Sequence, residues 1–228
     1  MAKGAATRKQ LLKEPDQFIS FSGKLIAFGR SNLKMVLISA GIFVALLLAV
    51  ATVRQVSNRN ENQASERVEK AVAKYSAALQ DTDATTAYDR VKADFTEIFD
   101  KYGSKSAVKI ARIAYGDISY NAGDADTAIA MYTQALDDFN RFPALRNIVM
   151  SGLGHAYALK KEYPQSIRYF ETISADEETT MKSEALFNRA RLYEATGEKQ
   201  KSTALYEQFL TDFPDNMYAD MVSEKVNR

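Results

Sequence analysis

The chain has 228 residues, with 30 Lys and Arg against 29 Asp and Glu, one His, no Cys and no Trp. The absence of Cys excludes disulfides, thiolate metal sites and a cysteine nucleophile, and a net charge of +1 gives no overall electrostatic footprint for nucleic acid. With 46% hydrophobic residues, 10 Gly and 4 Pro, the composition predicts a helical chain that buries a real core.

Residues 1–34 form a basic leader: Lys3, Arg8, Lys9, Lys13, Lys24, Arg30 and Lys34 stand against Glu14 and Asp16, a net +5. Within it Phe18, Phe21, Leu25 and Phe28 follow an i, i+3, i+7, i+10 spacing, with Ile19 and Ile26 alongside and Asp16 as a candidate cap. That spacing predicts a helix with an apolar stripe on one face. Two readings follow. The preferred one is an interfacial helix against the inner leaflet, with Lys24 and Arg30 reaching headgroups, because lipid alone satisfies such a helix. The other is a docking face for a partner membrane protein.

From Met35 to Val53 run 19 residues without a charge, closed by Lys34 and Arg54. At about 1.5 Å per residue this is roughly 28 Å of helix, close to the ~30 Å hydrocarbon core. A buried core helix is disfavoured because the stretch is apolar on every face and follows a basic leader. Ala49-Val50-Ala51 has the small-x-small pattern of a signal-peptidase site, but a 34-residue leader is much longer than the usual n-region, so an uncleaved anchor is expected. The flanks do not orient it: Lys24, Arg30 and Lys34 before the span balance Arg54, Arg59 and Arg67 after it. The whole leader tips the balance, since a short basic segment tends to stay in the cytoplasm. Residues 54–228, at net −4, are then the exported part, and the reverse topology is the main structural rival.

After a polar linker, residues 54–63, the segment 64–228 has an internal period. Val91, Ala128, Ser166 and Ser202 are separated by 37, 38 and 36 residues. Four beyond each stands an aromatic, Phe95, Tyr132, Phe170 and Tyr206; seven beyond stand Ile98, Ala135, Ile173 and Phe209. A small residue followed at +4 and +7 by aromatic and apolar groups is one face of a helix packed on a close neighbour. Twelve residues upstream stand Gly116, Gly154 and Ala190, which predict close helix approach; Leu79 holds that position in a weaker first unit. Gly123-Asp124 and Gly197-Glu198 mark turns, and Lys161-Glu162-Tyr163-Pro164 reads as a different turn, its proline suited to a first helical turn. Each unit is therefore a helical hairpin. Asp215, Met217, Tyr218, Met221, Val222 and Val226 predict a final amphipathic capping helix.

The segments YGDISYNAGDADTAIAMYTQAL, GLGHAYALKKEYPQSIRYFETI and ARLYEATGEKQKSTALYEQFLTDFP resemble the tetratricopeptide repeat (TPR) family, most closely over 107–215. The units are two to four residues longer than that family's usual 34, and only Pro214 takes its terminal proline position. The expected fold is all-α: one N-terminal transmembrane helix, then a TPR-like solenoid of about four hairpins and a cap.

Little in the sequence points to catalysis. His155, the one histidine, has no second His or Cys for a metal site, and no nucleophile elbow accompanies it. Asp124-Ala125-Asp126 lacks EF-hand ligand spacing and reads as helix capping. Asp137-Asp138 and Asp176-Glu177-Glu178 read as solvated charges. No enzyme activity, metal or cofactor is expected.

A binding surface is easier to place. The first helices of such hairpins line the concave side, and a 4-then-3 spacing selects Ile113, Asp117 and Tyr120, then Ser151, His155 and Ala158, then Phe187, Arg191 and Glu194. This mixed aromatic and charged face is the candidate groove for an extended or helical peptide; the alternative is plain exposed surface. A two-carboxylate clamp is disfavoured, because Ile113, Asp117, Glu184 and Asn188 stand where Lys, Asn and Arg would be needed.

Leader, single span and helical hairpins together resemble the YfgM family, an ancillary subunit of the bacterial Sec translocon. The resemblance implies an inner-membrane protein with a periplasmic domain that contacts the SecYEG translocon, periplasmic chaperones or exported chains. Other readings are a scaffold of another envelope assembly (secretion, cell-wall or cytochrome maturation), a cytoplasm-facing tethered adaptor, or an enzyme with an unrecognised site.

Overall fold

A computed structural model describes residues 17–177 and 179–227. Residues 1–16, with the Asp16 cap, and Glu178 lie outside the described residues, as do the side chains of Phe18 and Ile19. The described residues are helical with no strand, and the chain divides into two compact units, Met1–Asn58 and Arg59–Arg228.

In the first unit, α1 (Gln17–Ser31) meets α2 (Leu33–Ala78) at Asn32. Asn32 N donates to Phe28 O at 2.9 Å and Val36 N to Asn32 O at 3.0 Å, so i→i−4 bonding passes through the junction. The uncharged stretch of α2 exposes its large apolar side chains, among them Leu37, Ile42, Phe43 and Leu48. It is long and apolar enough to cross a membrane. Residues 54–63, expected as a polar linker, are a continuous part of α2.

In the second unit the tail of α2 is followed by α3 (Ala84–Tyr102), α4 (Ser106–Asn121), α5 (Ala125–Phe139), α6 (Pro143–Leu159), α7 (Tyr163–Ser174), α8 (Lys182–Ala195), α9 (Lys199–Asp212) and α10 (Ala219–Val226). Helices α4/α5, α6/α7 and α8/α9 pair as hairpins, and each also packs on the next. All twelve positions of the anchor, +4 and +7 pattern are buried, from Val91, Phe95 and Ile98 to Ser202, Tyr206 and Phe209. Removing these aromatic rings from water supplies about 1.5–3 kcal/mol apiece, which is why they recur at every repeat.

Small residues let the rings in. A Cβ on Gly116 would lie 2.7 Å from the Tyr132 ring, and one on Gly154 would lie 2.6 Å from the Phe170 ring. Gly152, not foreseen in that role, faces Tyr132 from the next hairpin, also at 2.7 Å. Ser166 Oγ donates to Gly154 O at 2.6 Å, which closes the α6/α7 crossing from its buried side. In the first hairpin Ala64, Ala71 and Ala78 are the buried small residues, while Leu79 is exposed. Their seven-residue interval keeps one narrow seam of α2 against its neighbours.

Three turns share one geometry. Gly123, Lys161 and Gly197 have φ of 83°, 65° and 80°. Each donates its N–H to the carbonyl three residues back, and the following residue donates to the carbonyl five back. The turn at Lys161 is thus the same as its neighbours, and the expectation of a different one is corrected: lysine occupies a left-handed position that glycine takes elsewhere.

The acidic runs also differ from expectation. Asp138 is largely buried and pairs with Lys109 at 3.2 Å and with Arg112, whose Nη2 also reaches Gly103 O. Asp176 accepts from Asn147 Nδ2 at 3.0 Å and from Arg146 at 3.5 Å. Asp138 ties α5 to α4, its own hairpin partner, and Asp176 ties the segment after α7 to α6, because donors on the paired helix converge on each. Glu61 has a similar role, accepting from Ser106 N and Ala107 N at 3.1 and 2.8 Å and capping α4 from the α2 tail. The capping helix α10 is short: Val222 is fully buried and Val226 half-buried, whereas Met217 and Met221 are exposed rather than packed as expected.

Candidate partner-binding groove

The nine selected residues lie on the first helices of three hairpins, α4, α6 and α8, and the structure gives them three different roles. Tyr120, His155, Ala158 and Arg191 converge on one cavity of ≈ 290 Å³, so that each helix contributes. Leu159, Tyr163, Phe170 and Asn188 complete much of its wall. The 4-then-3 spacing missed these four. Leu159 and Asn188 are one residue from selected stripe positions or a turn away, whereas Tyr163 and Phe170 reach in from the second helix of the hairpin, which a single-helix pattern does not include.

His155 sits between aromatic walls. Its ring centroid is 6.1 Å from Tyr120 and 5.1 Å from Phe170, the latter edge-on. Its Nε2 lies 3.5 Å from Glu184 Oε1, which also accepts from Ser151 Oγ at 2.8 Å. The hydrogen bond from His155 holds the Glu184 carboxyl below the usual range, against the opposing effect of burial and with help from Ser151. Ser151 is therefore a buried tie between α6 and α8.

Ile113, Asp117, Phe187 and Glu194 serve neighbours. Ile113 packs against the core around Tyr132 and Leu153. Asp117 accepts a short hydrogen bond from Tyr132 Oη; its surface is open, yet surrounding atoms desolvate the carboxyl enough to raise its pKa, against the lowering effect of that bond. Glu194 has the equivalent bond from Tyr206 Oη at 3.1 Å, plus Lys225 Nζ at 2.8 Å. Phe187 stacks on Tyr218 with centroids 5.4 Å apart and planes 8° from parallel, and carries the Arg191 guanidinium over its face at 5.7 Å.

The Asp124 and Asp126 carboxylates already have partners. Asp124 caps α5, accepting from Thr127 N at 3.0 Å and Thr127 Oγ1 at 2.8 Å, and also from Tyr88 Oη at 2.9 Å. Burial works to raise its pKa, but these bonds win and lower it. Asp126 instead pairs with Lys160 at 2.9 Å, so the two carboxylates face different partners. No group of three His, Cys, Asp or Glu suited to a metal occurs among the described residues. The depression between α2 and α3 is larger, ≈ 640 Å³, and six of its charges pair with one another, Arg67 with Glu97, Lys74 with Asp94 and Lys70 with Glu66, while Lys101 lies over the Tyr102 ring. The smaller cavity on the stripe has Arg191 and no carboxylate in its lining.

The tetratricopeptide repeat family model matches residues 184–216, which cover most of α8, all of α9 and the segment that follows. The fold of the repeat region is TPR-like. The α4/α5 and α6/α7 hairpins repeat both the buried anchor pattern and the turn geometry of the matched one, and the first hairpin repeats the anchor pattern alone. No curated protein matches the chain. TPR-like arrays are protein-interaction modules, which agrees with a cavity built jointly by three repeats.

Proposed function

We propose that the protein is a membrane-anchored adaptor whose TPR-like groove receives segments of other proteins at the bilayer surface. Residues 1–34 are cytoplasmic, 35–53 cross the inner membrane, and 64–228 stand in the periplasm. The client side is the Sec translocon, with exported chains or periplasmic chaperones as ligands, in keeping with the resemblance to the YfgM family. The short leader, with seven Lys and Arg, supports the orientation, because such a segment tends to stay in the cytoplasm. Anchoring raises the effective concentration of the groove near emerging chains, so modest affinity suffices.

The observation that carries the binding role is the cavity bounded by Tyr120, His155, Ala158 and Arg191. Aromatic walls and one permanent cation, with no carboxylate in the lining, suit an apolar or aromatic side chain that has an acceptor or carboxylate beside it. Site-specific photocrosslinking tests this. A photoreactive phenylalanine analogue at Tyr120 or Ala158 should capture translocon subunits or exported chains in living cells, whereas one at exposed Gln134 on α5 should not. Identical adducts from all three positions, or adducts lacking both classes, would contradict the proposal.

A further inference from the structure

We infer that α1 is a separate lipid-binding element that lies in the headgroup region and selects anionic phospholipid. The inference rests on the span reading above. Phe21, Leu25 and Phe28 are 64, 61 and 56% exposed, and Ile26 is 58% exposed. At about 100° per residue, they occupy an arc of nearly half the helix circumference. Lys24 and Arg30 fall at its two edges, and Gly23, Ala27 and Ser31 lie opposite. This is the arrangement in which rings enter the acyl boundary while flanking cations reach phosphate.

Two observations choose lipid over a protein partner. Between Gln17 and Lys34, on the α1 side of the span, stand Lys24, Arg30 and Lys34, and no acid, so the segment complements a negative surface. Only Asn32 separates α1 from α2, and the uncharged stretch begins at Met35. At about 1.5 Å per residue, the end of α1 lies within roughly one helical turn of where the span enters hydrocarbon. A helix held there meets headgroups before anything else. The junction also suits a bend: Phe28 O accepts from Ser31 Oγ at 3.0 Å and Asn32 Nδ2 at 3.1 Å as well as from Asn32 N. Opening the backbone bond there leaves that carbonyl with side-chain donors.

The cysteine-free chain permits a direct test. Full-length protein with Phe21→Cys, Ala27→Cys or Ile42→Cys, labelled with an environment-sensitive fluorophore, is reconstituted into vesicles of phosphatidylcholine alone or mixed with phosphatidylglycerol. In mixed vesicles the label at 21 should be blue-shifted and several-fold less quenched by acrylamide than at 27. That contrast should shrink in phosphatidylcholine alone and with Lys24→Gln/Arg30→Gln, while position 42 stays protected throughout. Equal quenching at 21 and 27 with 42 protected would overturn the inference but leave the anchor intact. Equal protection of 21 and 27 would overturn it in favour of a covering protein or second copy. A contrast independent of lipid charge would refute anionic selection, and a quenched position 42 would remove the span and this inference together.

Discussion

Asp117 and Glu194 share a task, each accepting from the tyrosine four residues past a repeat anchor, yet their pKa values move in opposite directions. Lys225 beside Glu194 lowers its pKa, whereas desolvation by surrounding atoms dominates at the exposed Asp117, which has no ion pair among the described residues. A raised folded pKa means that the stability Asp117 contributes is complete below its ordinary carboxylate value and lost as pH rises through the folded one. Asp117→Asn keeps an acceptor for Tyr132 and removes the desolvated charge, so it should be at least as stable as the parent at pH 7. Asp117→Ala orphans the Tyr132 hydroxyl and should cost about 1 kcal/mol. Urea unfolding of the full chain in detergent, followed by circular dichroism, separates the two. The hydrogen-bonding role of Asp117 was not legible in the sequence. Its position on the stripe was, because helical period fixes a face, but that period does not say which ring approaches from the paired helix.

At the element scale the hairpins were readable because four repeats impose the same buried face, and a one-residue slip would have turned Phe95, Tyr132, Phe170 and Tyr206 out of the core. What was not readable depended on long-range contacts. Glu61 caps a helix some 45 residues away, and Asp138 and Asp176 each bond to the first helix of their own hairpin, although all three look like ordinary surface acids. The turn at Lys161 was misread because residue identity, rather than conformation, differs from Gly123 and Gly197. Conformational cost then orders three substitutions. Gly123→Ala and Gly197→Ala should each destabilise by about 1 kcal/mol, and Lys161→Gly should be neutral or stabilise by up to about 1 kcal/mol, the gain reduced by glycine's greater unfolded-state entropy. Thermal unfolding midpoints of the three variants check the order. The same result for Ala at Gly123 and Gly at Lys161 would contradict a shared left-handed turn.

At the scale of the whole molecule, an apolar segment able to span a bilayer and a helical repeat array stand in one chain, α2 running from the first into the second. The apolar segment was legible by length and the repeats by period. The groove was only partly so: Tyr120, His155, Ala158 and Arg191 do meet, whereas Ser151 is buried in a tie to Glu184. The adaptor reading depends on where the array faces, since a periplasmic groove meets exported chains and a cytoplasmic one does not. The measurement that tests this most directly is protease accessibility of a C-terminal tag in intact, outer-membrane-permeabilised and fully lysed cells. Digestion on outer-membrane permeabilisation alone is the predicted result. Protection until full lysis would contradict it and leave a cytoplasm-facing adaptor held at the membrane.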